Sequence, residues 1–135
     1  MVKYSVYQES RTEMDRHKWL ESEKVGFDLG IRAFRGWLEQ HWRSYVCARW
    51  MEHLQGIAFW AELDRNNFGI IPRLEQRFRD RPDLFQAVID RVRIGQENLT
   101  VIQWAVHREI NCDLVLEILE SLDINSRRLP PRFEF

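Results

Sequence analysis

The sequence predicts an all-α protein: an irregular or orthogonal bundle of about six helices around one long central helix, with a short extended N-terminal arm. Three observations predict it. Every long segment of the 135-residue chain carries apolar residues at three- and four-residue spacing rather than in alternation. Strand-like alternation is confined to the first seven residues, where Val2, Tyr4 and Val6 would share a face. The proline-free stretch 27–54 holds three of the six tryptophans and is apolar on two sides of a helix, the pattern of an element that others fold against.

The elements follow in order. Residues 1–9 read as an arm. Residues 10–25 read as a first helix, capped by Ser10 or Thr12, with Thr12 and Asp15 in capping-box spacing and either a hinge at Gly26 or a direct run into the next helix. In the long helix one stripe holds Phe27, Ile31, Phe34, Leu38, Trp42 and Tyr45, with His41 at its edge. The other holds Leu29, Ala33, Trp37, Cys47, Met51 and Leu54. Between them Arg32, Arg35, Glu39 and Arg43 form a polar wedge. Its i,i+4 pairs Arg35–Glu39 and Glu39–Arg43 contribute about 0.2–0.5 kcal/mol each. Gly56 reads as the helix stop.

Beyond it, residues 57–63 read as one or two further helical turns, ended by the turn cluster 64–69. Pro72 suits the first turn of a short helix over 72–81. A helix over 83–94 buries Leu84, Phe85, Val88, Ile89 and Val92. The next, over 97–110, buries Leu99, Ile102, Val106 and Ile110. The last, capped by Asn111 or Asp113, buries Val115, Ile118, Leu119 and Leu122. The chain forms a single helical domain over 1–135, with 56–69 as its only internal seam and 124–135 as an extended C-terminal tail. Pro130 and Pro131 forbid helix there. In an extended chain Phe133 and Phe135 point the same way, so the tail is expected to dock, in a groove of its own domain or on a partner.

Composition narrows the function classes. The net charge of -1 provides no global field for nucleic acid or an anionic membrane. Arginine supplies 17 of the 20 basic side chains, and with 17 aromatic residues this favours stacking and bidentate contacts. Cys47 and Cys112 lack metal or redox spacing and read as free thiols of a reducing compartment. The first ten residues have no signal-peptide core, and no apolar run approaches the ~18 residues of a membrane span. The expected location is cytoplasmic.

Three constellations bear on chemistry. Glu13, His17 and Glu21 line one helical face at i, i+4 and i+8, and with His41, Glu52 and His53 they are the metal-ligand candidates. The Glu-x-x-His spacing of di-metal bundles and the H-E-x-x-H motif are both absent, so no metal is favoured. Residues 101–119 resemble a helix–turn–helix: Ala105, Ile110, Val115 and Ile118 match its buried positions, and Glu109 occupies the place of its turn glycine. Asp113, Glu117, Glu120 and Asp123 would then face phosphates, so the spacing implies a tight helical corner rather than DNA reading. Arg73, Arg77, Arg79 and Arg81 cluster with Phe78, a pairing suited to single-stranded nucleic acid, but Glu75, Asp80 and Asp83 interleave it. Finally, no nucleophile elbow, phosphate loop or dinucleotide fingerprint occurs, so no catalytic residue and no cofactor are expected.

The preferred reading is a non-enzymatic protein-binding or adaptor protein that acts on a protein partner or on a second copy of itself. A Glu/His metal-binding bundle and single-stranded nucleic-acid binding rank below it. Aromatic and arginine residues dominate interfaces, and charge is segregated. Residues 97–123 hold six acids and one arginine, whereas 127–132 hold three arginines and no acid. The partner-binding candidates are Arg32, Arg35, Arg43, Trp50, Arg127, Arg128, Arg132, Phe133 and Phe135.

Overall fold

The computed structural model describes residues 3–133, apart from the side chains of residues 125 and 126. Its elements are β1 (Lys3–Tyr4), α1 (Val6–Val25), α2 (Ile31–Gln55), β2 (Phe59–Trp60), α3 (Ile71–Arg77), α4 (Pro82–Arg93), α5 (Asn98–His107) and α6 (Cys112–Leu122). Short 3-10 turns occupy Arg65–Asn67 and Ile124–Arg127. The fold is all-α, with six α-helices and one two-stranded parallel pair among the described residues.

Helix α1 begins earlier than its sequence indicates. Ser5 is the cap, accepting from the Gln8 amide, while Ser10 is buried inside the helix and donates to the Tyr7 carbonyl. The decisive cap is remote. The Glu62 carboxylate, from within the seam, accepts from the Val6 amide at 2.7 Å and from the Ser5 hydroxyl at 2.6 Å. This places a negative charge at a helix N-terminus, where exposed N–H groups favour it.

Helix α2 also starts later than residue 27. Gly30 adopts φ 59, ψ -134, a backbone that L side chains avoid, and Phe27 and Asp28 lie in the turn before it. The Ser22 hydroxyl accepts from the Leu29 amide and Asp28 from the Gly30 amide, which ties the turn together. From Trp42 onward α2 is sheathed on every side: Tyr45, Val46, Cys47, Trp50, Met51, His53 and Leu54 are all buried. The wedge salt ladder does not form. Arg43 turns inward and donates through Nε to the Gly95 carbonyl at 2.7 Å. Gly95 can sit there because a Cβ would meet the Ser44 Cα at 3.1 Å.

Residues 57–63 are not helical. The Ile57 and Ala58 amides return to the Glu52 carbonyl, and the Trp60 amide donates to His53 Nδ1. With those donors committed to the end of α2, Phe59 and Trp60 extend and pair in parallel with Lys3 and Tyr4. Aromatic residues suit such a half-buried strand.

Helices α4 and α6 bury the faces their periodicity indicates. Asn111 caps α6, accepting from the Asp113 and Leu114 amides. Helix α5 does not follow expectation. Its inward face is Val101 and Ala105, whereas Leu99 and Val106 stand 64% and 60% exposed, with Ile102 and Ile110 half-buried. The helix is apolar on more than one side, so spacing alone cannot choose a face, and the smaller pair lets α5 nest against α4 and α6. The corner between α5 and α6 is tight. Glu109, at the place of the turn glycine, has φ 56.

The tail is not extended from residue 124. Asp123 is left-handed, Ile124–Arg127 form a 3-10 turn and Ile124 is buried; extended backbone begins at Arg128. Residues 129–133 then lie across α1 and α2. Trp42 Nε1 donates to the Leu129 carbonyl and the Tyr7 hydroxyl to the Pro130 carbonyl, both at 2.8 Å. Phe133 meets Trp42 edge-on, with centroids 5.6 Å apart. Phe135 lies outside the described residues.

Candidate functional site: an arginine-edged cavity and a bare hairpin

Of the six metal-ligand candidates, Glu13, His17 and His41 share one cleft and Glu21, Glu52 and His53 lie outside it. His17 and His41 face each other across α1 and α2, ring centroids 5.7 Å apart, in an open cleft of about 480 Å³ that also takes in Glu13, Arg16 and Arg49. Glu21 is one turn further along and pairs with Lys24, whose hydrogen bond holds the Glu21 carboxyl below its usual range. Glu52 accepts from the Trp60 indole and pairs with Arg49.

His53 is committed to structure. Nδ1 accepts from the Trp60 amide, so Nε2 must carry the proton and donate to the Asp64 carbonyl at 2.9 Å. Burial pushes its pKa down, so the neutral ring is the folded form. No group of three or more His, Cys, Asp or Glu residues is placed to hold a metal ion among the described residues.

The partner-binding candidates also divide. Arg32 and Arg35 are exposed near the start of α2. Trp50 is 2% exposed and cannot contact a partner; its size serves the core. Arg127 is half-buried and donates to the Leu122 carbonyl, which leaves it little reach, while Arg132 is exposed. Phe78, in the arginine cluster, is buried and stacked on Phe85, so it cannot stack on a base. Arg77 and Arg81 of that cluster lie near Glu117 and Asp83.

Two features gather what remains. The first is a cavity of about 290 Å³ between α2 and the tail, lined by Trp42, Arg43, Val46, Cys47 and Trp50 on one side and residues 128–130 on the other. The sequence singled out Arg43, Trp50 and Arg128 as contact residues; the fold brings them to one cavity. Burial keeps the Cys47 thiol protonated, pushing its pKa up against the nearby Arg43 and Arg128 charges, so it is no nucleophile.

The second is the far end of the α1–α2 pair. Between residues 15 and 36 only Ala33 is buried. Trp19 and Phe27 stand 61% and 57% exposed and flank a groove of about 430 Å³; Leu20, Val25 and Ile31 are exposed nearby. In the sequence of α1 the large apolar residues Met14, Trp19 and Leu20 are too few to make a defined face, and that lack is itself a signal. A helix that buries little leaves its apolar residues outside. No described helix is long and apolar enough to cross a membrane. Comparison with protein-family models, with curated proteins and with solved structures finds no match to this chain.

Proposed function

We propose that the protein is a non-enzymatic protein-binding module whose contact surface is the far end of the α1–α2 hairpin. One observation carries this reading: five large apolar side chains, Trp19, Leu20, Val25, Phe27 and Ile31, are exposed within thirteen residues on a two-helix element with almost no third layer. Exposed apolar clusters of this kind mark interaction surfaces. A helical hairpin completes its packing when another helix, or a second hairpin, lies along it. Tryptophan and phenylalanine are suited to such anchoring. Arg32 and Arg35 on the adjoining turns of α2 would form the polar rim.

The test compares the full chain with the Trp19→Glu/Phe27→Glu double variant. Light scattering across a micromolar concentration series and co-purification from the native cell are the two readouts. The expected result is a homo-oligomer or a retained partner that the double variant loses at unchanged thermal stability. A monomeric parent whose co-purifying set is the same with and without the two substitutions would overturn the reading.

A further inference from the structure

The tail lies on the helices as a peptide ligand lies on a receptor. Pro130 and Pro131 carry no N–H, so this stretch offers carbonyls and side chains but no backbone donor. Extended proline-rich backbone forms no hydrogen bonds within itself, which leaves its carbonyls for outside donors. Two donors reach consecutive residues from different helices. Trp42 Nε1 of α2 donates to the Leu129 carbonyl, and the Tyr7 hydroxyl of α1 donates to the Pro130 carbonyl. The Tyr7 and Trp42 rings stack, with centroids 5.7 Å apart and 26° between their planes. Phe133 closes the platform. Its ring stands edge-on to Trp42 and Tyr7, at 5.6 and 6.0 Å, and faces the Arg11 guanidinium at 5.8 Å. Leu129 and Phe133 are half-buried while Pro130 and Pro131 are exposed, so the two ends anchor the segment and the prolines stiffen it.

We propose that the Tyr7–Trp42 platform is a recognition groove for an extended apolar-Pro-Pro-x-aromatic segment of another protein, with the chain's own residues 129–133 as its resident ligand. Aromatic-lined grooves are a recurring means of reading proline-rich segments, whose extended form is largely fixed before binding. Two features make the resident segment exchangeable. Extended backbone begins at Arg128, just past a 3-10 turn that is held by buried Ile124 and by the bond from Arg127 Nε to the Leu122 carbonyl. Residues 128–133 can therefore lift without unwinding a helix. The segment also covers the groove without filling it: a cavity of about 290 Å³ remains between Leu129 and Pro130 and the α2 residues Trp42, Val46 and Trp50. A partner with a larger first side chain would occupy that space. Tethering favours the resident segment, since a short link holds it at an effective concentration of about millimolar. The groove opens to a partner that is locally concentrated or that fills the cavity better. The inference is independent of the hairpin reading, which concerns the other end of α1 and α2.

The probe is a dye-labelled, amidated Leu-Pro-Pro-Arg-Phe pentapeptide, titrated by fluorescence anisotropy against the whole 135-residue chain and its variants. Phe133→Ala loosens the tail and leaves the helices of the groove unchanged. The peptide should bind this variant roughly tenfold more tightly than the parent, whose tail competes. Where Phe133→Ala does not fold, Pro130→Gly/Pro131→Gly loosens the tail at two exposed residues instead. Adding Tyr7→Phe to either loosened variant should weaken the peptide by roughly three- to tenfold, the worth of one hydrogen bond. A Leu-Ala-Ala-Arg-Phe peptide should bind more weakly than the proline form, because it loses more freedom on docking. No saturable binding to a folded, loosened variant would overturn the proposal. Equal affinity for the parent and the loosened variant, or undiminished binding after Tyr7→Phe, would do the same. So would a parent dimer in light scattering that dissociates on Phe133→Ala, since the groove would then belong to the tail of a second copy.

Discussion

The two ends of helix α2 are built from similar residues and live in different surroundings. Its second half, from Trp42, is enclosed by α1, α3, α4, β2 and the tail, and buries residues on every side. In its first half only Ala33 and Trp37 are buried, while Ile31 is exposed and Phe34 and Leu38 are half-buried. Aromatic and aliphatic content therefore does not define a core; the number of layers around it does. The enclosed half makes the domain stable. The bare half leaves apolar surface in water without contributing comparable packing.

The largest expected effect tests that contrast directly. Trp50→Ala should lower stability by about 3–5 kcal/mol, as for other large core truncations, whereas Ile31→Ala should stay within about 0.5 kcal/mol, as for surface changes. Chemical denaturation of both variants measures it. Comparable losses would mean that the bare half is covered in solution.

A second expectation sharpens the contrast through charge. His53 is fully buried and neutral in the folded chain, and burial sets its pKa below the ordinary 6.5. The unfolded state therefore binds a proton first as pH falls. The stability linked to His53 is complete above pH 6.5 and is lost as pH drops toward the folded value. The melting temperature should fall between pH 7 and pH 5. His53→Gln should start lower, by about 1–3 kcal/mol for disturbed buried hydrogen bonds, and show a flatter profile over that interval. An unchanged slope in the variant would assign the acid sensitivity to other groups.

What the sequence reveals differs between these regions for physical reasons. The faces of α4 and α6 are legible because in each the large apolar residues at three- and four-residue spacing are the ones that become buried, although Leu116 of α6 stands exposed. The start of α1 is not legible: its cap, Glu62, is 56 residues from the amide it serves. The strand Phe59–Trp60 is hidden because the Ile57 and Ala58 amides before it return to the Glu52 carbonyl and the Trp60 amide is taken by His53, both of the preceding helix. In α5 the spacing of Leu99, Ile102 and Val106 identifies a true face and assigns it to the wrong side, since Val101 and Ala105 form a second stripe. The cavity was half visible. Arg43, Trp50 and Arg128 stand out by residue type, but only the path of the tail across Trp42 and Tyr7 brings Arg128 and Leu129 to them.

The smallest effect concerns two glycines, one in each environment. Gly36 lies inside the bare half of α2, has no positive φ, and a Cβ added there meets nothing within 4 Å. Alanine should therefore stabilise the helix by roughly 0.5–1 kcal/mol, chiefly by reducing the freedom of the unfolded chain. Gly95 has φ 96 and packs on the enclosed half, where a Cβ would sit 3.1 Å from the Ser44 Cα and 3.3 Å from its amide nitrogen. Alanine there combines strain with a backbone clash and displaces the carbonyl that holds Arg43. Gly95→Ala should destabilise the protein, and Gly36→Ala should raise its melting temperature slightly. Amide exchange adds resolution. If the bare half opens separately from the core, Gly36→Ala will slow exchange in residues 31–41 and leave global unfolding almost unchanged. Equal slowing throughout α2 would show that the helix unfolds as one unit, and that the contrast between its ends is one of surface alone.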